Sequence, residues 1–381
     1  MQYNITMAEL QKTDKLKEKA VLFGLSLSQK DDGYFSMKEL ERLSETANVE
    51  VLAKLFQKAK EITPATYIGT GKAEELKELV MSTGANIAIC DNELSGSQVN
   101  NLSEILGVKV IDRTTLILDI FAKHATTNEG KLQVELAMLK YYLPRLSGIA
   151  GTSGRFGSGG VGMRGPGETK LELDKRKIRD QILKLEKEIE KIKQERDLRR
   201  KNRTNTGIKK VAIVGYTNAG KSTLMNVITK ANIYADDKLF ATLDTTTRQL
   251  WLAPKCEIVL TDTVGFINKL PHSFVDAFSA TLEEVTYSDL ILHVIDLTDK
   301  HLDIHKEVVL NELKNLNAIN IPRITIYNKT DILTTEEKIR LRNSGLIEPD
   351  AIFISAKNNE NTEILKNAIL EKLFNKTPQN Y

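Results

Sequence analysis

The chain has 381 residues, 41% of them apolar, with 54 Lys and Arg against 51 Asp and Glu. That length exceeds one ordinary core and predicts roughly two or three domains, while a net charge of +3 is too small to draw nucleic acid except through local clustering. No run is long and apolar enough to cross a bilayer and the N-terminus lacks a signal peptide's apolar core, so a cytoplasmic protein without integral membrane insertion is expected. Cys90 and Cys256 stand too far apart, and too alone, for a disulfide framework or a zinc site, and are expected as small core residues on strands.

Residues 1–19 are polar and lysine-rich and are expected to form a disordered lead-in. Val21-Leu-Phe-Gly-Leu25 predicts a strand. Ser36 and Glu39 have the spacing of a capping box that opens a helix through Leu40 and Leu43. Val49, Val51, Ala53 and Leu55 alternate as in a strand, with a helix over 51–59 as the alternative. Gly69-Thr-Gly-Lys72 leads into a helix carrying Leu76, Leu79 and Val80, and reads as a connection in preference to an anion site. A strand over 86–90, a helix with Val99, Leu102, Ile105 and Leu106, a strand over 108–111 and a helix with Leu116, Leu118 and Phe121 follow. Alternating strands and helices predict a small N-terminal α/β domain over 20–130 with a mainly parallel sheet.

From Lys131 the period changes. Leu132, Leu136, Leu139, Leu143 and Leu146 step by four and three, as do Ile178, Ile182, Leu185, Ile189 and Ile192. Two antiparallel helices over 131–204 are expected, joined by the glycine-rich loop 147–167, which carries Arg155 and Arg164. Residues 170–203 hold fourteen Lys and Arg against eight Asp and Glu. A solvated face and an RNA contact are equal explanations of that excess.

Residues 205–376 predict a doubly wound α/β domain, with 377–381 as a tail; its strands are Val211 to Val214, Ile258 to Leu260, Leu290 to Ile295, Ile324 to Tyr327 and Ala351 to Ile354. After the first strand comes a phosphate-binding loop, Gly215, Tyr216, Thr217, Asn218, Ala219, Gly220, Lys221 and Ser222. Its glycines let backbone N–H groups and a helix N-terminus face a triphosphate, Lys221 reaches the β and γ oxygens, and Ser222 offers its hydroxyl to magnesium. Asp262, Thr263, Val264 and Gly265 end the next strand, with the carboxylate placed for the magnesium shell and the Gly265 N–H placed to sense a γ-phosphate. Asn328, Lys329, Thr330 and Asp331 end another; Asp331 can accept from the N1–H and exocyclic amine of guanine, a pair that adenine lacks. Ser355, Ala356 and Lys357 would close over the base from behind.

The chain resembles the translation-factor class of GTPases and, within it, the HflX family of ribosome-associated GTPases. The resemblance rests on the phosphate loop, on Phe240-Ala-Thr-Leu-Asp244, Asp262-Thr-Val-Gly-Phe266, Leu270-Pro-His and Thr281-Leu-Glu-Glu284. It extends to Tyr67-Ile-Gly-Thr-Gly-Lys72 and to Gly160-Val-Gly-Met-Arg-Gly-Pro-Gly-Glu-Thr-Lys170, a string specific to the family, and so spans roughly 20–375. Thr245 departs from the proline common there, and the chain's ending implies that a C-terminal extension of relatives is absent.

The resemblance implies hydrolysis of GTP to GDP and phosphate with Mg²⁺, and places Phe240, Ala241, Thr242, Leu243 and Asp244 in switch I. Ser222 and, in the GTP state, Thr242 are expected to ligate the metal, with Thr245 to Thr247 as alternatives; Lys221, Thr242, Gly265 and Asn218 are expected to act in catalysis. Asn218 resembles the asparagine of GTPases that use K⁺. Phe266 stands where many GTPases carry a water-positioning glutamine, so slow intrinsic turnover is expected. The implied partner is the 50S ribosomal subunit and its rRNA, met through the hairpin and its loop by a monomer that splits stalled or idle 70S ribosomes. The alternatives are a GTPase of large-subunit assembly and an enzyme that merely uses GTP; the N-terminal domain shows no His, Cys or paired-carboxylate cluster for the last.

Overall fold

The computed structural model describes residues 18–28, 33–146, 170–204, 207–229, 239–240, 246–254, 256–269, 284–343, 345 and 347–375. These fall into two compact units: one takes those up to Asp119 together with 144–146, the other those of Ile120–Leu143 and all from Lys170 onward. The lead-in before residue 18 and the glycine-rich loop, with Arg155 and Arg164, lie outside the described residues.

The first unit is built on a sheet of β1 (Lys19–Ser26), β2 (Glu50–Lys58), β3 (Ile87–Cys90) and β4 (Lys109–Asp112). All pairs are parallel and the order is β2-β1-β3-β4. The helices α1 (Tyr34–Thr46), α2 (Thr70–Thr83) and α3 (Gly96–Leu106) make the crossovers, and α4 (Arg113–His124) follows β4. Residues 50–58 are thus strand; the alternation seen around Val51 and Leu55 prevails over the helical alternative. Val21, Phe23, Ala88, Leu76 and Leu102 share one core.

The capping box expected of Ser36 and Glu39 is corrected. The helix begins earlier, with Gly33 as its N-cap and no side-chain cap. Both side chains are buried and serve a polar cluster: Ser36 Oγ donates to Asp91 Oδ2 at 2.5 Å, while Arg113 pairs with Asp91 Oδ1 at 2.9 Å and with Glu39. A fully buried guanidinium needs such partners, and that need outweighs helix capping. Gly69 N donates to Gln57 Oε1 at 3.1 Å and Lys72 pairs with Glu75 at 2.7 Å, so the Gly69-Thr-Gly-Lys72 turn satisfies its groups locally, as a connection does.

In the second unit α5 (Asn128–Tyr142) and α6 (Lys170–Thr204) pack along Leu132, Leu136 and Leu139 against Ile178, Ile182, Leu185 and Ile189. The pairs Lys140–Glu186 at 2.7 Å and Arg196–Glu129 at 2.9 Å run in opposite senses along the two helices, which makes them antiparallel. The heptad seam continues through Leu143 in a 3₁₀ turn, Leu143–Arg145.

The nucleotide-type sheet holds β5 (Lys209–Gly215), β6 (Thr246–Ala253), β7 (Cys256–Asp262), β8 (Leu290–Asp296), β9 (Arg323–Asn328) and β10 (Ile352–Phe353) in the order β10-β9-β8-β5-β7-β6. Five strands are parallel; β6, absent from the expectation, pairs antiparallel with β7 at the edge. Leu290, Leu292 and Val294 face one core with α7 (Lys221–Thr229) and α9 (Thr362–Phe374). Alternate residues of the same strand face α8 (Leu302–Asn315), which brings Leu302 against Ile295 and Tyr327. Both cysteines are buried, on β3 and β7, as expected. No helix among the described residues is long and apolar enough to cross a membrane.

Candidate functional site

The carboxyl ends of β5, β7, β8 and β9 converge where an open α/β sheet places its ligands. Gly215 is required there because an added Cβ would run into the carbonyl of Val294 on the adjacent β8. The chain then curls through Asn218 at φ 60° and Gly220 at φ 91°, and enters α7 at Lys221. Asn328 fastens this curl: its Nδ2 donates to Ala219 O at 2.9 Å and its Oδ1 accepts from Ala356 N at 2.9 Å. One amide therefore joins three of the motifs singled out in the sequence.

Lys221 is buried, and its Nζ donates to Gly215 O at 3.2 Å and to Tyr216 O at 2.9 Å. Burial lowers its pKa from 10.5 to about 8, with Asp262 opposing the shift. Ser222 Oγ donates to Asp262 Oδ2 at 2.6 Å, and Thr263 Oγ1 donates to Ile213 O at 2.7 Å, which fixes the end of β7 against β5. A hydroxyl and a carboxylate brought together beside a buried ammonium form the hard-oxygen set that Mg²⁺ accepts, so these residues fit that ion. The Thr217 hydroxyl is buried in the loop without a hydrogen-bond partner among the described residues, as suits a pocket shaped to receive a polar group.

Beyond Asp262, Val264 is buried and Gly265 lies so close to the loop that an added Cβ would stand 2.9 Å from Lys221 Nζ and from Thr217 Cα. Phe266 is 2% exposed and pairs by its backbone with the phosphate loop. On the far side Asp331 Oδ1 accepts from Ser355 Oγ at 2.6 Å, and Lys329, at φ 64°, pairs with Asp296 at 2.7 Å. Thr330 and Ser355 are buried and Lys357 is exposed. Phe240, at φ 57°, is buried edge-on against Phe121 with centroids 4.7 Å apart. Ala241, Thr242, Leu243, Asp244 and Thr245 lie outside the described residues. The motifs from the phosphate loop to Ser355 thus meet at one end of one sheet. Sequence reasoning overlooked His305, whose ring stacks on Tyr216, and Asp299, which pairs with His305; the signal was the four-residue spacing His305, Val309, Leu313, which sets the imidazole on the buried face of α8.

Residues 35–122 match the family described as "GTP-binding GTPase N-terminal", 124–203 the "GTP-binding GTPase Middle Region" and 210–329 the "50S ribosome-binding GTPase" family. GTPase HflX of Caldanaerobacter subterraneus subsp. tengcongensis is 51% identical over 361 residues, spanning 95% of this chain and 82% of its own length. The chain belongs to the HflX family of GTPases. GTPase HflX of Escherichia coli K12 is 42% identical, over 95% of this chain and 84% of its own length. The crystal structure of SsGBP with GDP is 27% identical with a TM-score of 0.50, covering 93% of this chain and 98% of its own. As an HflX-family member the protein is a GTP-hydrolysing enzyme that takes guanine nucleotide, with magnesium as its usual companion.

Proposed function

We propose that this GTPase binds the large ribosomal subunit and dissociates stalled or idle 70S ribosomes, acting as a monomer. The observation that carries this reading is the arm: α5 and α6 form an antiparallel pair with an apolar seam, grouped in one compact unit with the nucleotide sheet. Its long helix carries the basic excess described above, which suits phosphate-rich RNA. A switch domain joined to a stiff basic arm can couple nucleotide state to a grip on rRNA, and the loop 147–167 would be its tip. The domain division at 20–130, 131–204 and 205–376 belongs to this reading, and the family matches at 35–122, 124–203 and 210–329 support it.

At the nucleotide site, residues 215–222 would cradle the phosphates, with Lys221 on the β and γ oxygens. Asp331 would accept from guanine, with its carboxylate steadied by Ser355, and Ser355 to Lys357 would close behind the base. Ser222 and Thr242 would hold magnesium, which when bound neutralises charge on the β and γ oxygens. Gly265 would offer its N–H to the γ-phosphate, and Asn218 would help hold K⁺ as an added cation. Because Phe266 is buried and apolar, no side chain there orients water, and slow intrinsic hydrolysis follows. Sedimentation of purified 70S ribosomes with the protein and a non-hydrolysable GTP analogue tests the proposal: separate subunits are expected. Intact 70S together with binding to isolated 50S would redirect the reading to subunit assembly.

A further inference from the structure

In most of the motif residues above the backbone or a charged side chain has an evident task, but the aromatic ring of Tyr216 does not. That ring lies flat on His305 of α8, with centroids 3.6 Å apart and an interplanar angle of 15°. His305 is held in turn, its Nδ1 at 3.2 Å from Asp299 Oδ2, while Asp299 Oδ1 accepts from His301 N at 2.8 Å. The phenolic oxygen, fixed by this stack, accepts from Asn268 N at 2.8 Å.

Asn268 belongs to the stretch just after Gly265. The nearer end of that stretch is fastened through the backbone: Thr217 N donates to Phe266 O at 2.8 Å, and Phe266 N donates to Gly215 O at 3.2 Å. With an apolar residue at 266, no polar side chain of that position can brace the segment from within. The Tyr216 hydroxyl braces it from outside. Misplacing a reacting arrangement by about 1 Å can cost on the order of a hundredfold in rate, and Gly265 sits too near Lys221 and Thr217 to shift without disturbing both.

We propose that Tyr216, clamped by His305 and Asp299, is a positioning residue for GTP hydrolysis: its hydroxyl fixes residues 266–268 and thereby the Gly265 N–H that faces the γ-phosphate. This rests on the nucleotide-site assignment given under Proposed function. It separates two contributions of one residue, since the backbone of Tyr216 shapes the phosphate loop whereas its ring acts on hydrolysis.

Four full-length variants test it by single-turnover GTP hydrolysis beside GDP affinity measured with a fluorescent analogue. Tyr216→Phe keeps the ring and removes the hydroxyl; the loss of one hydrogen bond should slow hydrolysis about five- to tenfold, with GDP affinity within about twofold of wild type. His305→Leu keeps the hydroxyl, removes the stack and should slow hydrolysis comparably. The pair Tyr216→Phe with His305→Leu should be no slower than either alone, because both act through one contact. His305→Phe restores an aromatic face and should recover the rate to within about twofold. Wild-type hydrolysis by Tyr216→Phe would overturn the proposal, as would multiplicative losses in the double variant or a fall in GDP affinity that matches the fall in rate. Absence of GDP binding by the wild-type protein would instead overturn the site assignment.

Discussion

Raising the pH from 7 to 8.5 should weaken nucleotide binding through Lys221 alone. Its ammonium is buried beneath the phosphate loop, and burial lowers the pKa from 10.5 to about 8 despite the attraction of Asp262. In the proposed site, nucleotide phosphates would bring negative charge to that ammonium and hold its proton throughout this range. In the empty site the proton is held less firmly: by simple titration around that pKa, ~0.1 of the molecules lack it at pH 7 and ~0.75 at pH 8.5. Binding of GDP should therefore take up ~0.1 proton at the lower pH and ~0.75 at the higher. The dissociation constant should rise about fourfold over the same interval, a loss of about 0.8 kcal/mol. Stability responds with the opposite sign: between the folded and unfolded pKa values the unfolded chain binds more protons, so this group's contribution to stability rises with pH. Isothermal titration of GDP in two buffers of different ionisation heat, at both pH values, reads the proton count directly. A constant proton count with an unchanged dissociation constant would refute the account of Lys221 as a cation held near its limit by burial.

The gathering of the candidate site's motifs was legible because the backbone curls and short strings suited to phosphate and base recognition sit at strand ends, where apolar runs mark the strands themselves. Gly215 and Gly220 could be read as structural necessities, and the structure supplies the obstacles, Val294 O and the Asn328 amide. The edge strand β6 was not legible. Only Leu250 of Thr246–Ala253 is buried and Trp251 is exposed, so the alternation that reveals a half-buried strand is nearly absent there. Ser36 and Glu39 misled for a different reason. Their spacing matches a capping box, but their partners Asp91, just after β3, and Arg113, at the start of α4, are more than fifty residues away, and no local pattern announces a tertiary polar cluster. The Tyr216–His305 stack was hidden likewise, since a tyrosine inside a phosphate-loop motif is read for its backbone.

The remaining predictions address base choice, cations, the N-terminal unit and the arm. Asp331→Asn should lose preference for GTP and gain it for xanthosine triphosphate, because an amide can donate to the added carbonyl; competition binding checks it, and retained GTP preference would count against Asp331 as the base reader. Hydrolysis should be faster in potassium than in sodium buffer, with ribosomes or without, if Asn218 helps hold the added cation; equal rates would remove that role. Arg113→Leu strips two buried carboxylates, Asp91 and Glu39, of their shared cation and should cost the N-terminal unit ~3–5 kcal/mol, seen as a lowered thermal transition. Shortening 147–167 should leave GTP affinity within about twofold, since no motif of the nucleotide site lies in that stretch, yet abolish 70S dissociation. Glycine-rich sequence gains little from packing on itself, so Arg155 and Arg164 are worth most against phosphates or unpaired bases of an RNA partner. Ribosome-stimulated hydrolysis should fall less than splitting, because the nucleotide domain keeps its own contacts. If the shortened protein splits ribosomes at the wild-type rate, the loop is a passive linker and the arm loses its place as the working end.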